Sequence, residues 1–231
     1  MRTIGLIGGM SWESTELYYR WINEATRRRR GGLHSAPIVL YSVDFEPIER
    51  LQHQGDWVGA GEILAQAACA LEKAGADCVL ICTNTMHKVA PAVAAAVNIP
   101  LLHLADATAT KVVERQISTV GLLGTRFTMQ EDFYRARLEQ CGLKVQVPTS
   151  EEQEVVHRII YDELCVGVVK PESRQIFVEI VESLRARGVE AVIEGCTEIV
   201  MLLQQQHTDM PLFDTTAIHA DAAVEWALQT G

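Results

Sequence analysis

The sequence has no apolar run long enough to span a membrane, no C-x-x-C pair and no excess of basic side chains. The first absence argues against a transmembrane helix, which needs about 20 consecutive apolar residues. Because the six cysteines lack paired spacings, they predict neither a zinc site nor a disulfide framework. The 20 basic and 30 acidic residues give a formal charge of −10, which repels nucleic acid and anionic membrane surfaces.

The remaining composition is that of an ordinary globular protein. Hydrophobic residues make up 48% and charged residues 22% of the 231 positions, which is enough apolar material for a sizeable core. The first residues, 1–8, have the pattern of a strand and a turn rather than of a signal peptide, so the expected compartment is the cytoplasm. We therefore expect a cytoplasmic protein that acts on a small molecule, with no nucleic-acid partner and no membrane partner.

Short β-branched runs alternate with longer amphipathic segments, a pattern that predicts an α/β protein. Strands are predicted at Thr3–Ile7, Ile38–Ser42, Cys78–Ile81, Leu101–His103, Thr119–Leu123, Val145–Val147, Ala191–Ile193 and Leu212–Phe213. Helices are predicted at about residues 13–29, 58–74, 87–97, 105–115, 128–141, 151–165, 171–187 and 215–229. Strands this rich in Val, Ile and Leu favour parallel sheets covered by helices, and such sheets bind ligands beyond the carboxyl ends of their strands.

Two internal matches at nearly the same spacing indicate a duplication. Residues 3–8 (TIGLIG) are similar to 119–124 (TVGLLG), and residues 75–83 (GADCVLICT) are similar to 188–196 (GVEAVIEGC). We expect two similar Rossmann-like parallel-sheet domains related by pseudo-twofold symmetry, with the active site in the cleft between them. The predicted first domain comprises residues 1–104 plus 210–231, because the last segment is expected to pack back on it. The predicted second domain comprises residues 105–209.

Polar clusters follow the two strands of the second match. Asn84 and Thr85 come after one strand, and Thr197 comes after the other. Backbone N–H and side-chain groups at such strand ends bind carboxylates at helix N-termini. The simpler interpretation is that these three residues only cap the helices that follow them. A cluster that occurs twice, once beside a thiol, favours a binding role.

Cys196 is the strongest single candidate for a chemical role. A cysteine acts as a base only as the thiolate, and we expect a helix N-terminus in a polar setting to lower its pKa from about 8.5 toward neutrality. The duplication makes Thr83 its equivalent in the first half. Cys82 adjoins Thr83, and since neighbouring side chains of an extended segment point to opposite sides, only one of the two is expected to face a ligand.

Four motifs in order resemble the cofactor-independent aspartate/glutamate racemase family. They are Gly8-Gly9-Met10-Ser11-Trp12, Thr83-Asn84-Thr85-Met86-His87, Gly124-Thr125-Arg126-Phe127-Thr128 and Gly195-Cys196-Thr197-Glu198, and the similarity covers essentially the whole chain. The resemblance implies a homodimer that uses no pyridoxal phosphate and no metal, so no cofactor is expected. It also implies that two cysteines, one in each domain, exchange a proton at the substrate α-carbon from opposite faces.

The sequence departs from the family pattern at one position, where the first cysteine is replaced by Thr83. A threonine hydroxyl is too weakly acidic to match a thiol near neutral pH. Because the family assigns removal of the proton from the L-substrate to the second cysteine, we expect Cys196 to deprotonate L-aspartate or L-glutamate. Reprotonation is then expected from the Thr83 side, by Thr83 or by a water that it holds. The predicted enzyme is a slow racemase that prefers L-substrates.

Further substrate-binding residues are carried over from the resemblance. They are Met10, Ser11, Gln52, Asn84, Thr85, Thr125, Thr128 and Thr197. Gln52 lies in the segment 45–57, which we expect to be rich in loops and able to fold over the substrate as a lid. Arg50 is a candidate cation for the substrate side chain, His87 a candidate for tuning the site, and His219 is expected to be structural.

Two other functions remain open from the sequence. Relatives of the same fold use one cysteine for decarboxylation or for another single protonation of a small dicarboxylate, and the missing first cysteine suits such an enzyme. A protein of this fold that binds a dicarboxylate without turning it over is the third possibility. Retention of Cys196 together with its neighbours argues against the binding protein.

Overall fold

The structure is a computed structural model that describes residues 1–229. In chain order its strands are β1 (Ile4–Gly8), β2 (Ile38–Ser42), β3 (Cys78–Ile81), β4 (Thr119–Gly124), β5 (Lys144–Gln146), β6 (Ala191–Gly195) and β7 (Leu212–Asp214). Its α-helices are α1 (Trp12–Arg30), α2 (Phe45–Gln54), α3 (Trp57–Lys73), α4 (Ala90–Ala95), α5 (Leu104–Glu114), α6 (Arg126–Gln130), α7 (Asp132–Gln140), α8 (Ser150–Asp162), α9 (Pro171–Ala186), α10 (Ile199–Leu202) and α11 (Thr215–Leu228). Short 3₁₀ helices lie at Thr85–Val89, Leu164–Val166 and Gln205–His207.

The chain forms two compact units, and the fold is α/β with parallel sheets in two domains, as predicted. Unit 1 comprises residues 1–104 and 216–229, and unit 2 comprises residues 105–215. The sequence assigned residues 210–215 to the first domain, and this part of the boundary is wrong. Strand β7 hydrogen-bonds in parallel to β6, with Leu212 opposite Val192, so backbone pairing holds this segment in unit 2.

The sheet of unit 1 has three parallel strands in the order β2-β1-β3. Ile4 of the central strand is in register with Ile38 on one side and Cys78 on the other. The predicted strand at 101–103 is reduced to a single parallel bridge between Leu101 and Val79. Since β1 lies in the middle, its carboxyl end is flanked by the carboxyl ends of both neighbours.

Both faces of this sheet are covered, as the apolar strands predict. Side chains alternate along β1, so that Ile7 packs with α2, α3 and α4 while Leu6 packs with α1 and α11. Four small residues of α11 lie against this second face: Ala220, Ala223, Val224 and Ala227. The final helix therefore completes the core of unit 1.

The segment 45–57 is mainly helical, where the sequence predicted a loop-rich lid. Helix α2 begins after Asp44, whose side chain accepts a hydrogen bond from the Glu46 N–H at 3.4 Å. Pro47 is compatible with the helix because it lies in the first turn, where no intrahelical N–H is required. Ile48 and Gln52, four residues apart, are the buried side chains of this helix, which is the spacing of one helical face.

The sheet of unit 2 has four parallel strands in the order β5-β4-β6-β7. One face packs against α8, α9 and α10 in a single apolar cluster. Strands β4 and β6 end side by side, with Gly124 in register with Gly195. A Cβ on Gly195 would lie 2.8 Å from the Leu123 carbonyl oxygen, so glycine is required for this close approach. Among residues 1–229, no helix combines the length and the apolar character needed to cross a membrane.

Candidate active-site residues

The polar cluster of unit 1 begins directly after β3. Thr83 is half-buried, and Asn84 and Thr85 are buried at the start of the 3₁₀ helix Thr85–Val89. Cys82 lies in the apolar cluster shared with α1 and α11, where burial raises the pKa of its thiol. Cys82 is therefore a core residue, in agreement with the expectation that it does not share the direction of Thr83.

The His87 ring contacts the backbone at the start of this turn and at Leu104. Its Nδ1 lies 2.8 Å from the Thr83 carbonyl oxygen, and the Leu104 N–H donates to its Nε2 at 3.3 Å. His87 is almost fully buried, with 2% of its surface exposed. Its ring is 4.5 Å from the ring of His103 and 5.8 Å from that of His219, measured between centroids.

The first glycine turn of unit 1 is built from short local hydrogen bonds. Ser11 is the N-cap of α1, with its side chain accepting from the Ser14 N–H at 3.2 Å. The Ser14 hydroxyl in turn donates to the Cys82 carbonyl oxygen at 3.1 Å, which ties α1 to the end of β3. Met10 is buried in the apolar cluster with Ile7. The structure thus gives Met10 a packing role and Ser11 a capping role, and their predicted contact with substrate remains a prediction.

Gln52 and Arg50 lie on α2 with different environments. Gln52 is buried and its side-chain N–H donates to the Met86 Sδ at 2.9 Å, next to Thr85. Arg50 is exposed and paired with Glu46, four residues earlier, at 3.6 Å. Gln52 therefore supports the 3₁₀ helix that carries Thr85, whereas Arg50 forms a solvent-facing ion pair of the kind that contributes little to stability.

The polar cluster of unit 2 is centred on Cys196, directly after β6. Its thiol donates to the Glu198 Oε2 at 2.9 Å, and 8% of the residue is exposed. Burial, followed by the charge of Glu198, raises the pKa of this thiol well above its usual value. The sequence predicted a lowered pKa, and that prediction is wrong. Cys196 is enclosed by apolar side chains and faces a carboxylate, and both disfavour the thiolate.

The Gly124 turn lies beside Cys196 because β4 and β6 are adjacent. The Thr125 Oγ1 accepts a hydrogen bond from the Thr128 N–H at 3.4 Å, and the two hydroxyls lie 3.3 Å apart. A Cβ placed on either Gly124 or Gly195 would come within 3.1 Å of the Thr128 side chain. Thr125, Thr128 and Thr197 are all buried. The structure therefore brings these three predicted residues to the strand end that carries Cys196.

Glu194 is a buried acid that the sequence reasoning missed. It is 3% exposed, and within residues 1–229 its Oε1 has no hydrogen-bond partner. Burial and the charge of Asp214, which is opposite it in the β6–β7 register, raise the pKa of this carboxyl well above its usual range. The available signal was a lone glutamate inside an otherwise apolar strand. Glu198 was part of a quoted motif, but only its contact with Cys196 reveals its importance.

Within residues 1–229, no three His, Cys, Asp or Glu side chains are grouped in a way that suits a metal ion. The polar groups of the two clusters are mainly hydroxyls, amides and backbone N–H groups. Such groups suit a carboxylate ligand better than a metal ion.

Comparisons with known proteins agree on one family. The sequence model of the Asp/Glu/Hydantoin racemase family matches residues 7–223. The broad-specificity amino-acid racemase RacX of Bacillus subtilis is 22% identical, with 96% of each chain covered. The crystal structure of a Yersinia pestis protein proposed to be an Asp/Glu racemase is 53% identical, with a TM-score of 0.94 over 99% of this chain and 100% of that one. An aspartate racemase homologue from Pyrococcus horikoshii is 37% identical, with a TM-score of 0.88 and the same coverage.

Proposed function

The chain belongs to the Asp/Glu/Hydantoin racemase family, and we propose that it is an amino-acid racemase that inverts aspartate and glutamate without a cofactor. The observation that carries the proposal is the 2.9 Å hydrogen bond from the Cys196 thiol to the Glu198 carboxylate. A nucleophilic or basic thiol needs a neighbouring acceptor for its proton, and Glu198 is in position to be that acceptor. Both residues follow a strand end, where α/β sheets bind their ligands.

In the proposed reaction, Glu198 accepts the thiol proton and the Cys196 thiolate then removes the α-proton of the L-amino acid. The electron pair of the broken C–H bond moves into the carboxylate, giving an enolate-like intermediate. A proton from the Thr83 side, donated by Thr83 or by a water that it holds, then adds to the opposite face of the α-carbon. The cycle closes when Glu198 releases its proton to solvent and Thr83, or the water that it holds, takes a proton from solvent, which leaves Cys196 as the thiol again.

The raised pKa of Cys196 is compatible with this role. The α-proton of an amino acid is very weakly acidic, so a strongly basic thiolate has a larger driving force for removing it than a weakly basic one. The cost is a small population of thiolate in the empty enzyme. We expect the ammonium group of the bound substrate to reduce this cost, because an opposite charge nearby favours the anionic form of the thiol.

The developing negative charge also needs hydrogen-bond donors. Thr197, Thr125 and Thr128 are buried near Cys196 in unit 2, and Asn84 and Thr85 are buried near Thr83 in unit 1. We propose that these groups and the adjacent backbone N–H groups bind the substrate carboxylates and stabilise the enolate. Donors held in a water-poor site stabilise such charge more effectively than water does.

Proton NMR in deuterated water tests this function directly. Purified protein is incubated separately with the L- and D-forms of aspartate and of glutamate, and deuterium at Cα and inversion are followed together. We expect deuterium to enter L-aspartate or L-glutamate with slow formation of the D-enantiomer. Cys196→Ala should abolish both signals, while Cys141→Ala, at an exposed cysteine, serves as the matched control.

Other outcomes identify the alternatives. Loss of carbon dioxide from a malonate-type acid, without racemisation, would favour the single-cysteine decarboxylase. Saturable binding of a dicarboxylate with no exchange at Cα would favour the binding protein. Activity on many amino acids would favour a broad substrate range, as the name of the Bacillus subtilis relative indicates for that protein.

The homodimer and the cytoplasmic location also remain part of the proposal. Strand β2 is at the edge of its sheet, and Leu40 and Tyr41 on it are exposed. Exposed apolar side chains on an edge strand are suited to burial against a second copy. Light scattering of the purified protein measures the oligomeric state.

A further inference from the structure

Unit 1 contains a buried group of three histidines next to Thr83, formed by His87, His103 and His219. All three are at most 7% exposed. His87 contacts both of the others through its ring. The group lies among α1, the Thr83 turn, residues 102–104 and α11, and its histidines contact each of these parts of unit 1.

The hydrogen bonds of His87 determine its protonation state. A backbone carbonyl can only accept, so the Thr83 oxygen at 2.8 Å requires a proton on Nδ1. A backbone N–H can only donate, so the Leu104 amide at 3.3 Å requires an unprotonated Nε2. Together the two contacts specify the neutral imidazole that carries its proton on Nδ1.

His219 is held by the same logic in the opposite tautomer. Its Nε2 lies 2.8 Å from the Leu102 carbonyl oxygen, and the Tyr18 hydroxyl lies 2.8 Å from its Nδ1. Nε2 therefore carries the proton and Tyr18 donates to Nδ1. Burial lowers the pKa of His219 to about 3, which agrees with a neutral ring. The hydrogen-bond partners of both rings fit neutral imidazoles, and each ring connects the backbone of residues 102–104 to another element.

From this arrangement, and resting on the proposed function, we propose that His87 is a positioning residue that holds the Thr83 carbonyl and thereby aims the Thr83 side chain for reprotonation. Leu104, its second partner, is the last residue of unit 1 before the chain enters unit 2. His87 thus connects the turn to the backbone of a fully buried residue. A shift of about 1 Å in a catalytic group can cost up to about 100-fold in rate, so this support matters for turnover.

Two variants separate the contacts of His87. In His87→Asn the side-chain N–H₂ replaces Nδ1 and keeps the donor to Thr83, while the bond from Leu104 is lost. In His87→Gln the longer side chain places its carbonyl oxygen near the position of Nε2 and keeps the acceptor for Leu104, while the bond to Thr83 is lost. Each variant loses one hydrogen bond, so we expect similar losses of stability. His34→Gln, at an exposed histidine, is the control.

The readouts are solvent deuterium entering L-aspartate, which reports the Cys196 step, and formation of D-aspartate, which reports the Thr83 step. We expect His87→Gln to reduce inversion by about tenfold while exchange and KM change little, and His87→Asn to retain most of the inversion. Equal losses of inversion in both variants, or equal losses of exchange and inversion in His87→Gln, would show that His87 is only structural and would overturn the proposal.

A second measurement does not depend on activity. Imidazole ¹⁵N NMR of the wild type should show neutral His87 with its proton on Nδ1, and a proton on Nε2 would overturn the proposal. The backbone N–H of His87 donates to the Asn84 carbonyl oxygen at 3.0 Å. Hydrogen–deuterium exchange of this backbone amide therefore reports whether the turn is intact. It should accelerate in His87→Gln and not in His87→Asn. If the wild type neither exchanges nor inverts aspartate or glutamate, the proposed function fails, while these two readouts still decide the role of His87.

Discussion

The strand ends after β3 and β6 come from similar sequences but differ in their acidic groups. After β3, Thr83 is followed by the polar side chains of Asn84 and Thr85, and the His87 ring contacts the Thr83 carbonyl oxygen and the Leu104 N–H. After β6, Cys196 lies beside Glu198 and two residues from Glu194. In the proposed function, the strand end of unit 2 supplies the groups that remove a proton, and Thr83 of unit 1 supplies a weak acid. This difference teaches that a duplicated framework can be kept while the chemistry of one copy is changed.

The largest effect is expected from removing the thiol. Cys196→Ala should reduce deuterium exchange and inversion by at least about 1000-fold, because no other base replaces the thiolate. NMR in deuterated water measures both rates. If exchange continued in this variant, Glu198 or another group would have to be the base, and the contrast between the two strand ends would fail.

Glu198→Gln tests whether the carboxylate is the proton acceptor for Cys196. Exchange should fall by about 100-fold, since general-base assistance typically contributes this much. The charge of Glu198 raises the pKa of Cys196, so its removal should shift alkylation of the thiol by iodoacetamide to lower pH. If the thiol of this variant is alkylated faster while its racemase activity is lower, Glu198 acts as the proton acceptor and does not merely change the pKa of Cys196. Unchanged exchange would contradict the proposed mechanism.

Thr83→Cys should reduce the difference between the rates at which the L- and D-enantiomers are deprotonated. A thiol is a far better acid and base than a hydroxyl near neutral pH, so D-aspartate should be deprotonated about tenfold faster than by the wild type. Comparing exchange rates from the two enantiomers measures the symmetry. If wild-type protein already processes both enantiomers at equal rates, the predicted preference for L-substrates is wrong.

The smallest effect is on stability, from Glu194→Gln. The pKa of Glu194 is raised by folding, so the native state retains a proton that the unfolded state releases above about pH 4.5. Its contribution to stability is therefore complete below that pH and declines as the pH rises toward the native pKa. The glutamine variant cannot titrate and should be more stable than the wild type at pH 7, with little difference at pH 4. Urea unfolding of both proteins at pH 4 and pH 7 measures the difference in their free energies of unfolding. If this difference is the same at both pH values, the prediction is wrong.

Regular elements were largely predictable because apolar periodicity is a local property. All seven strands described, β1 to β7, lie within two residues of their predicted bounds. Helix α2 was missed since Pro47 and Gly55 are typical of loops, although the proline lies in the first turn and the glycine just after the last. The boundary at 209/210 was wrong because only strand pairing decides where β7 belongs.

For the candidate residues, the sequence predicted positions along the fold better than it predicted pKa values. The motifs correctly indicated that Cys196 and Thr197 follow a strand, and strand alternation separated Cys82 from Thr83. The direction of the Cys196 pKa shift was wrong, since it depends on how many apolar side chains surround the thiol and on where the Glu198 carboxylate points. Neither quantity is contained in the spacing of residues along the chain.

By itself, the sequence indicated the class of fold, the duplication, the family and the chemical difference between Thr83 in one half and Cys196 in the other. These depend on residue identity and on local periodicity. Only the tertiary structure decided that Glu198 accepts a hydrogen bond from the Cys196 thiol, that Glu194 is buried opposite Asp214, and that His87 connects Thr83 to Leu104. The reason is physical: protonation and hydrogen bonding depend on distance and burial, which are set by packing between elements that are remote in the chain.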